Sequence, residues 1–211
     1  MHRIPMAAVI WVVLVCNLFA DKPSTTNPLH QIIGGEDYAV AIPADWNLRS
    51  DMQPTMPVYA GGSRPTVDEN GSPLQIGLTI EHWPDVKKTL EERRQIQIGA
   101  VAKAKALVPI GEPIIQEVKL DDGTPALLMI HEFHKERGRH SLQIKLLANA
   151  PDGSAWCASG FLVGGLESKV PTPTSDQAKW LTAYVQSFCF DRAKLDQSKL
   201  PGPFVDPPSK P

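Results

Sequence analysis

Between Thr124 and Val163 the chain carries three consecutive apolar strands joined by short turns. This stretch constrains the fold more than any other. Ala126–Phe133 (ALLMIHEF), Ser141–Asn149 (SLQIKLLAN) and Ala155–Val163 (AWCASGFLV) are the strands, and Pro151-Asp152-Gly153-Ser154 is the turn between the last two. Proline presets φ in such a turn and glycine accepts a positive φ. The first and third strands are apolar on both faces, as expected of central strands covered on both sides. The middle strand keeps one apolar face, Leu142, Ile144, Leu146 and Ala148. A hairpin-linked meander of this kind calls for an antiparallel sheet with layers packed on both faces.

Upstream, Leu74–Trp83 alternates strictly, with Leu74, Ile76, Leu78 and Ile80 on one face. Ile114–Leu120 alternates again and ends at the turn signal Asp121-Asp122-Gly123. Two shorter strands are expected at Glu36–Ile42 and Met56–Ala60, the latter at an edge because Pro57 lacks a donor. Between Met56–Ala60 and Leu74–Trp83, Gly61–Pro73 reads as the longest polar loop. Its Asp68, Glu69 and Asn70 lack the spacing of a calcium-binding EF-hand and read as a solvated turn.

Two helices complete the pattern. Asp85–Leu107 has no proline and is rich in good helix formers, with its charges on a solvated face. A second helix is signalled by Thr174 and Gln177 as a capping box, then by Leu181, Tyr184, Val185 and Phe188 at i, i+3, i+4 and i+7. The expected fold class is α+β: an antiparallel sheet of about six to seven strands flanked by helices, an α/β/α sandwich.

The termini differ from this centre. His2 and Arg3, the apolar Ala7–Cys16 and the small Ala20 have the three-part layout of a secretory signal peptide. The apolar run is shorter than the ~18 residues a spanning helix needs. An uncleaved anchor helix and lipidation at Cys16 are the lesser alternatives, and Val15 stands where a lipidated cysteine wants a small neighbour. The expected organisation is residues 1–20 as signal peptide, 21–35 as flexible leader, 36–190 as one domain, and 191–211 as a disordered tail rich in the chain's twenty prolines. The reading is therefore of an exported protein with no membrane span after cleavage.

Charge and cysteine content narrow the function classes. Without residues 1–20 the chain keeps 20 of its 21 basic side chains against 23 acidic ones. That balance argues against nucleic acid as a partner, because phosphate recognition needs a clustered basic surface. Cys157 and Cys189 remain after cleavage, an even count that permits one disulfide in an exported chain. Two buried thiols are the alternative.

No motif identifies a reaction. His131 and His134 are three apart on a strand, whereas the zinc-protease pattern needs i and i+4 on a helix. His140 follows the turn after His134 and is placed to meet it across the hairpin. A two-histidine metal site is one reading of that pair; a polar or pH-sensitive strand end is the favoured one. Ser154 and Ser159 lack a base and an oxyanion partner, and no Walker loop or dinucleotide fingerprint is present. Neither a catalytic residue, a metal nor a cofactor is expected. Trp46, Tyr59 and Trp83, at strand ends or in loops, are the candidate ligand- or partner-binding residues, and plugging the ends of the sheet is their alternative role.

The order of elements, with Tyr38-Ala-Val-Ala-Ile-Pro-Ala-Asp-Trp46 at the start and Val185-Gln-Ser-Phe188 in the last helix, resembles the PsbP-like family. The likeness spans about residues 36–190. It implies an antiparallel sheet between helices and a non-catalytic binding or assembly role, with no functional residue carried over. The leading expectation is an exported binding or assembly protein of the cell envelope, its partner an unknown protein or small molecule. The competing one is an envelope hydrolase or metal-dependent enzyme using His131, His134 or His140.

Overall fold

The meander is built as its turns require. In the computed structural model, which describes residues 29–49, 58–68, 70–84, 88–103, 107–135, 140–165, 168–204 and 206, the turns at Gly123 and Gly153 have the same construction. Each glycine takes a positive φ (89° and 84°). The preceding aspartate, Asp122 or Asp152, accepts the N–H two residues on at 2.8 Å.

Nine strands form two antiparallel sheets among the described residues. β1 (His30–Gly34) pairs with β2 (Ala39–Pro43) in a hairpin. The other seven are β3 (Asn47–Arg49), β4 (Val58–Val67), β5 (Pro73–Trp83), β6 (Leu107–Lys119), β7 (Pro125–Lys135), β8 (His140–Asn149) and β9 (Ala155–Gly164). Their order across the sheet is β3-β4-β5-β9-β8-β7-β6. The meander strands β7, β8 and β9 lie inside the sheet beside β5, as the two-sided apolar pattern of β7 and β9 requires.

Alternation along the strands assigns the two faces. Ile76, Leu78 and Ile80 of β5, Leu128 and Ile130 of β7, Leu142, Ile144 and Leu146 of β8, and Ala158 and Leu162 of β9 form the main core with α2 (Asp176–Gln186). Leu181, Tyr184 and Val185 of α2 are buried against them. Leu127, Met129, Leu147 and Cys157 point the other way and meet Leu90 and Ile98 of α1 (Leu90–Lys103). The β1–β2 hairpin adjoins the end of α2: Ala39 and Cys189 exchange backbone hydrogen bonds of 2.8 and 2.9 Å, and the Ala41 N–H donates to Ser187 Oγ at 3.0 Å.

Several expectations are corrected. The polar loop at 61–73 is mostly strand: β4 pairs with β5 from Val58 to Val67, and only its tip turns. The ladder with β5, a non-local interaction, overrides the glycines and proline that locally read as loop. Asp68 at that tip is 1% exposed rather than solvated, accepting N–H groups from Asn70, Ser72 and Lys169. The leader includes β1. α2 is capped by Ser175, whose Oγ accepts the Ala178 N–H at 3.1 Å, not by Thr174. The reciprocal capping box lies instead at α1, where Thr89 and Glu92 each accept the other's N–H.

The C-terminal segment is packed, not disordered, as far as Phe204. Asp122 Oδ2 accepts the N–H of Phe190 at 2.7 Å and Asp121 Oδ2 that of Asp196 at 2.8 Å, tying the segment to the β6–β7 turn. Leu200 and Phe204 rest on the core, and Trp180 Nε1 donates to the Gly202 carbonyl at 2.9 Å. The Cys157–Cys189 disulfide is not formed: both are free, buried thiols in separate clusters. Strand alternation is the reason. Cys157 points to the α1 face, whereas Cys189 follows α2 on the opposite side. Residues 1–28, including the expected signal peptide, lie outside the described residues. Among the described residues no helix is long and apolar enough to cross a membrane.

Candidate functional site

The strand histidines separate by alternation. His131 lies on the α1 face, while His134, an odd number of residues away, lies on the α2 face. His131 packs tilted against Phe133 with centroids 4.3 Å apart and lines a recess of about 20 Å³ with Gln97, Gln143 and Lys145. That is room for a single water. Burial lowers the His131 pKa, opposed by the Gly111 backbone and Glu112. His134 and His140 meet across the β7–β8 hairpin, as expected from sequence: they are register partners with Nε2 atoms 3.0 Å apart. Glu132, two residues before His134 on the same face, places Oε1 3.9 Å from His140 Nε2.

The α1 face holds a polar group that sequence reading assigned to no site. Lys145 of β8 stands opposite Ser159 of β9, and Glu81 of β5 opposite Cys157. Lys145 Nζ donates to Gln97 Oε1 at 2.8 Å, and Cys157 Sγ and Ser159 Oγ are 3.1 Å apart. Burial raises the Glu81 pKa, with Lys145 opposing. Burial, and next the Glu81 charge, pushes the Cys157 thiol up to about 12. A thiol so protonated is not a nucleophile at neutral pH. The sequence held a partial signal, since Thr79 and Glu81 form the polar face of β5, but nothing local marked which strand would lie beside them.

Of the three aromatics singled out from sequence, Trp46 and Trp83 lie on opposite faces of the sheet. Trp46 is 4% exposed, packs over Gly62 and approaches Trp180 with centroids 6.1 Å apart, a core position. Trp83 packs on the opposite face with the α1 cluster. Tyr59 lies on β4, and its side chain is outside the described residues.

An open groove of about 500 Å³ lies instead at the β3–β4 end of the sheet, lined among others by Asn47, Ser63, Arg64, Gln75, Val163 and Gly165. Arg64 is held by Asp45 at 2.9 Å and Asp206 at 3.3 Å, with its guanidinium 5.0 Å above the Phe204 ring. Gln75 Nε2 donates to Ser63 Oγ at 3.3 Å across the β4–β5 pair. The groove is of a size that small ligands or peptide segments occupy.

An antiparallel sheet of this order between α1 and α2 defines a PsbP-like α+β fold. Among solved structures, cyanobacterial PsbP (CyanoP) from Synechocystis sp. PCC 6803 matches with a TM-score of 0.51 at 12% identity, over 82% of this chain and 98% of that one. LpqN of Mycobacterium tuberculosis, described as involved in cell envelope biogenesis, matches with a TM-score of 0.44 at 14% identity, over 74% and 87%. No family model and no curated protein sequence matches.

Proposed function

We propose that the protein is an exported, non-catalytic binding or assembly protein of the cell envelope, and that its contact surface is the groove at the β3–β4 end. The observation that carries the reading is the groove itself, whose volume of about 500 Å³ falls in the ligand-site range. Its lining mixes hydrogen-bonding side chains (Asn47, Ser63, Gln75) with apolar ones (Leu74, Val163). The three-part pattern of residues 1–20 supports export. The perturbed aspartates support a structural rather than catalytic use of carboxylates: Asp68, Asp122 and Asp152 each accept backbone N–H groups at turns. The catalytic alternative needs its histidines in one place, and His131 faces the opposite side of the sheet from His134 and His140.

Photo-crosslinking in cells tests both parts. A benzophenone amino acid at Gln75, in the groove, is expected to give a discrete adduct in the envelope fraction, and the same probe at exposed Arg192 none. Equal labelling from both positions, or a chain recovered in the cytosol with Met1 intact, refutes the proposal.

A further inference from the structure

The β7–β8 hairpin places two imidazoles and a carboxylate on one face of the sheet. We propose that His134 and His140, with Glu132 beside them, bind a divalent transition-metal ion of the zinc, copper or nickel kind. Glu132 and His134 share a face because they are two apart on β7, and His140 is the register partner of His134 on β8. Among the described residues the helix of this face, α2, lies mainly against β8, β9 and β2 rather than β6 and β7. His134 is exposed, and Val108, its partner on β6, is 53% exposed.

The two imidazoles share a hydrogen bond that is offset from the head-on form. A head-on N–H···N bond of this length puts imidazole centroids about 5 Å apart, because each ring extends away from its own Nε2. Here the centroids are 3.8 Å apart and the planes differ by 18°. The rings are stacked with their Nε2 atoms at hydrogen-bonding distance, so a metal ion would take the place of the proton that the two nitrogens share.

Two nitrogens 3.0 Å apart, each ~2.0 Å from a shared ion, subtend about 97° there, between the cis angle of a square-planar site and the tetrahedral angle. Rotation about each Cβ–Cγ bond, a torsion with broad minima, turns the lone pairs onto one point. Glu132 is not at bonding distance as it stands, and among the described residues no group of three or more His, Cys, Asp or Glu is placed to hold a metal ion. The site is thus a pair of imidazoles, completed by the swing of the Glu132 carboxylate and by water.

Glu132 supplies a negative charge beside the two imidazoles. The residues opposite these groups on the flanking strands, Val108, Ile110 and Leu142, carry no charge. Imidazole with one carboxylate selects borderline ions over calcium or magnesium, which prefer all-oxygen shells.

Calorimetric titration of the untagged protein at pH 7.5 with zinc, nickel or copper chloride tests the site. One equivalent is expected to bind. His134→Ala and His140→Ala should each weaken binding at least tenfold, and Glu132→Gln less, while His131→Ala leaves it unchanged. Electron paramagnetic resonance of the copper complex should show two coordinated nitrogens, a readout that does not depend on the variants folding. No saturable binding to the wild type, undiminished binding in the folded double variant, or a copper spectrum without two nitrogens overturns the proposal.

Discussion

Tyr184 Oη lies 2.7 Å from His30 Nδ1, a buried hydrogen bond that ties the β1–β2 hairpin to the centre of α2 across 154 residues of chain. Burial lowers the His30 pKa below its usual 6.5 and raises that of Tyr184 well above its ordinary value, so the pair is neutral at pH 7. In the unfolded chain His30 binds its proton more readily than in the folded one. Stability from this group is therefore complete above the unfolded value and falls as the pH drops from 6.5 toward the depressed folded value. Urea unfolding at pH 7.5 and pH 5.5 should show a loss on acidification that is smaller in His30→Gln. Tyr184→Phe should cost about 1 kcal/mol at pH 7.5. An equal acid loss in His30→Gln and wild type refutes the linkage.

Asp68 fastens two loops at once. Its Oδ1 accepts the Asn70 and Ser72 N–H groups at 2.8 Å and its Oδ2 the Lys169 N–H at 2.7 Å. Burial by itself would raise its pKa, but these backbone donors outweigh it and the net shift is downward. Its contribution is present above pH 3.8 and lost below it as the carboxylate is protonated. Asp68→Ala should destabilise by about 2–3 kcal/mol at neutral pH, because charge-assisted bonds are lost and buried donors are left unpaired. The shift in urea midpoint at constant slope measures it.

Gly160 sets the closest approach of α2 to the sheet. A Cβ there would lie 2.7 Å from Val185 Cγ2 and 2.9 Å from Leu181 Cγ. Gly160→Ala should cost about 1–3 kcal/mol through overpacking. Gly71→Ala, at an open turn with φ of 80°, should cost about 1–2 kcal/mol from backbone strain alone. Combining Gly160→Ala with Val185→Ala should recover part of the first loss and none of the second. Recovery in both pairings would point to a non-specific effect.

The two thiols should behave as buried, protonated groups. Burial pushes Cys189 up to about 12, as it does Cys157. Ellman titration of protein lacking residues 1–20 should find two thiols after unreduced unfolding, and slow reaction of both in the native state at pH 8. A single intramolecular disulfide in the purified, oxidised protein would contradict the placement of these residues on opposite sides of the sheet.

Local pattern made some of this legible. The strands β5, β7, β8 and β9, the Asp-Gly turns and the stripe Leu181, Tyr184, Val185 and Phe188 follow from periodicity, which depends on neighbours in the chain. The His134–His140 encounter was readable for the same reason, since a short hairpin sets its own register. β4 was not, because Gly61-Gly62-Ser63-Arg64-Pro65 has no strand signal of its own and is held by pairing with β5. The packing of residues 191–204 was hidden likewise: the acceptors on Asp121 and Asp122 lie about 70 residues back along the chain.

Sequence alone therefore determined the α+β class, the meander and its two covered faces, because alternation and turn chemistry are local. Only the tertiary structure decided that Trp46 is core, that Cys157 and Cys189 point apart, and that the C-terminal segment holds Arg64 through Asp206 and Phe204. Each of these depends on which strand lies beside which. That neighbourhood is set by burial summed over the whole sheet, not by any stretch of residues read by itself.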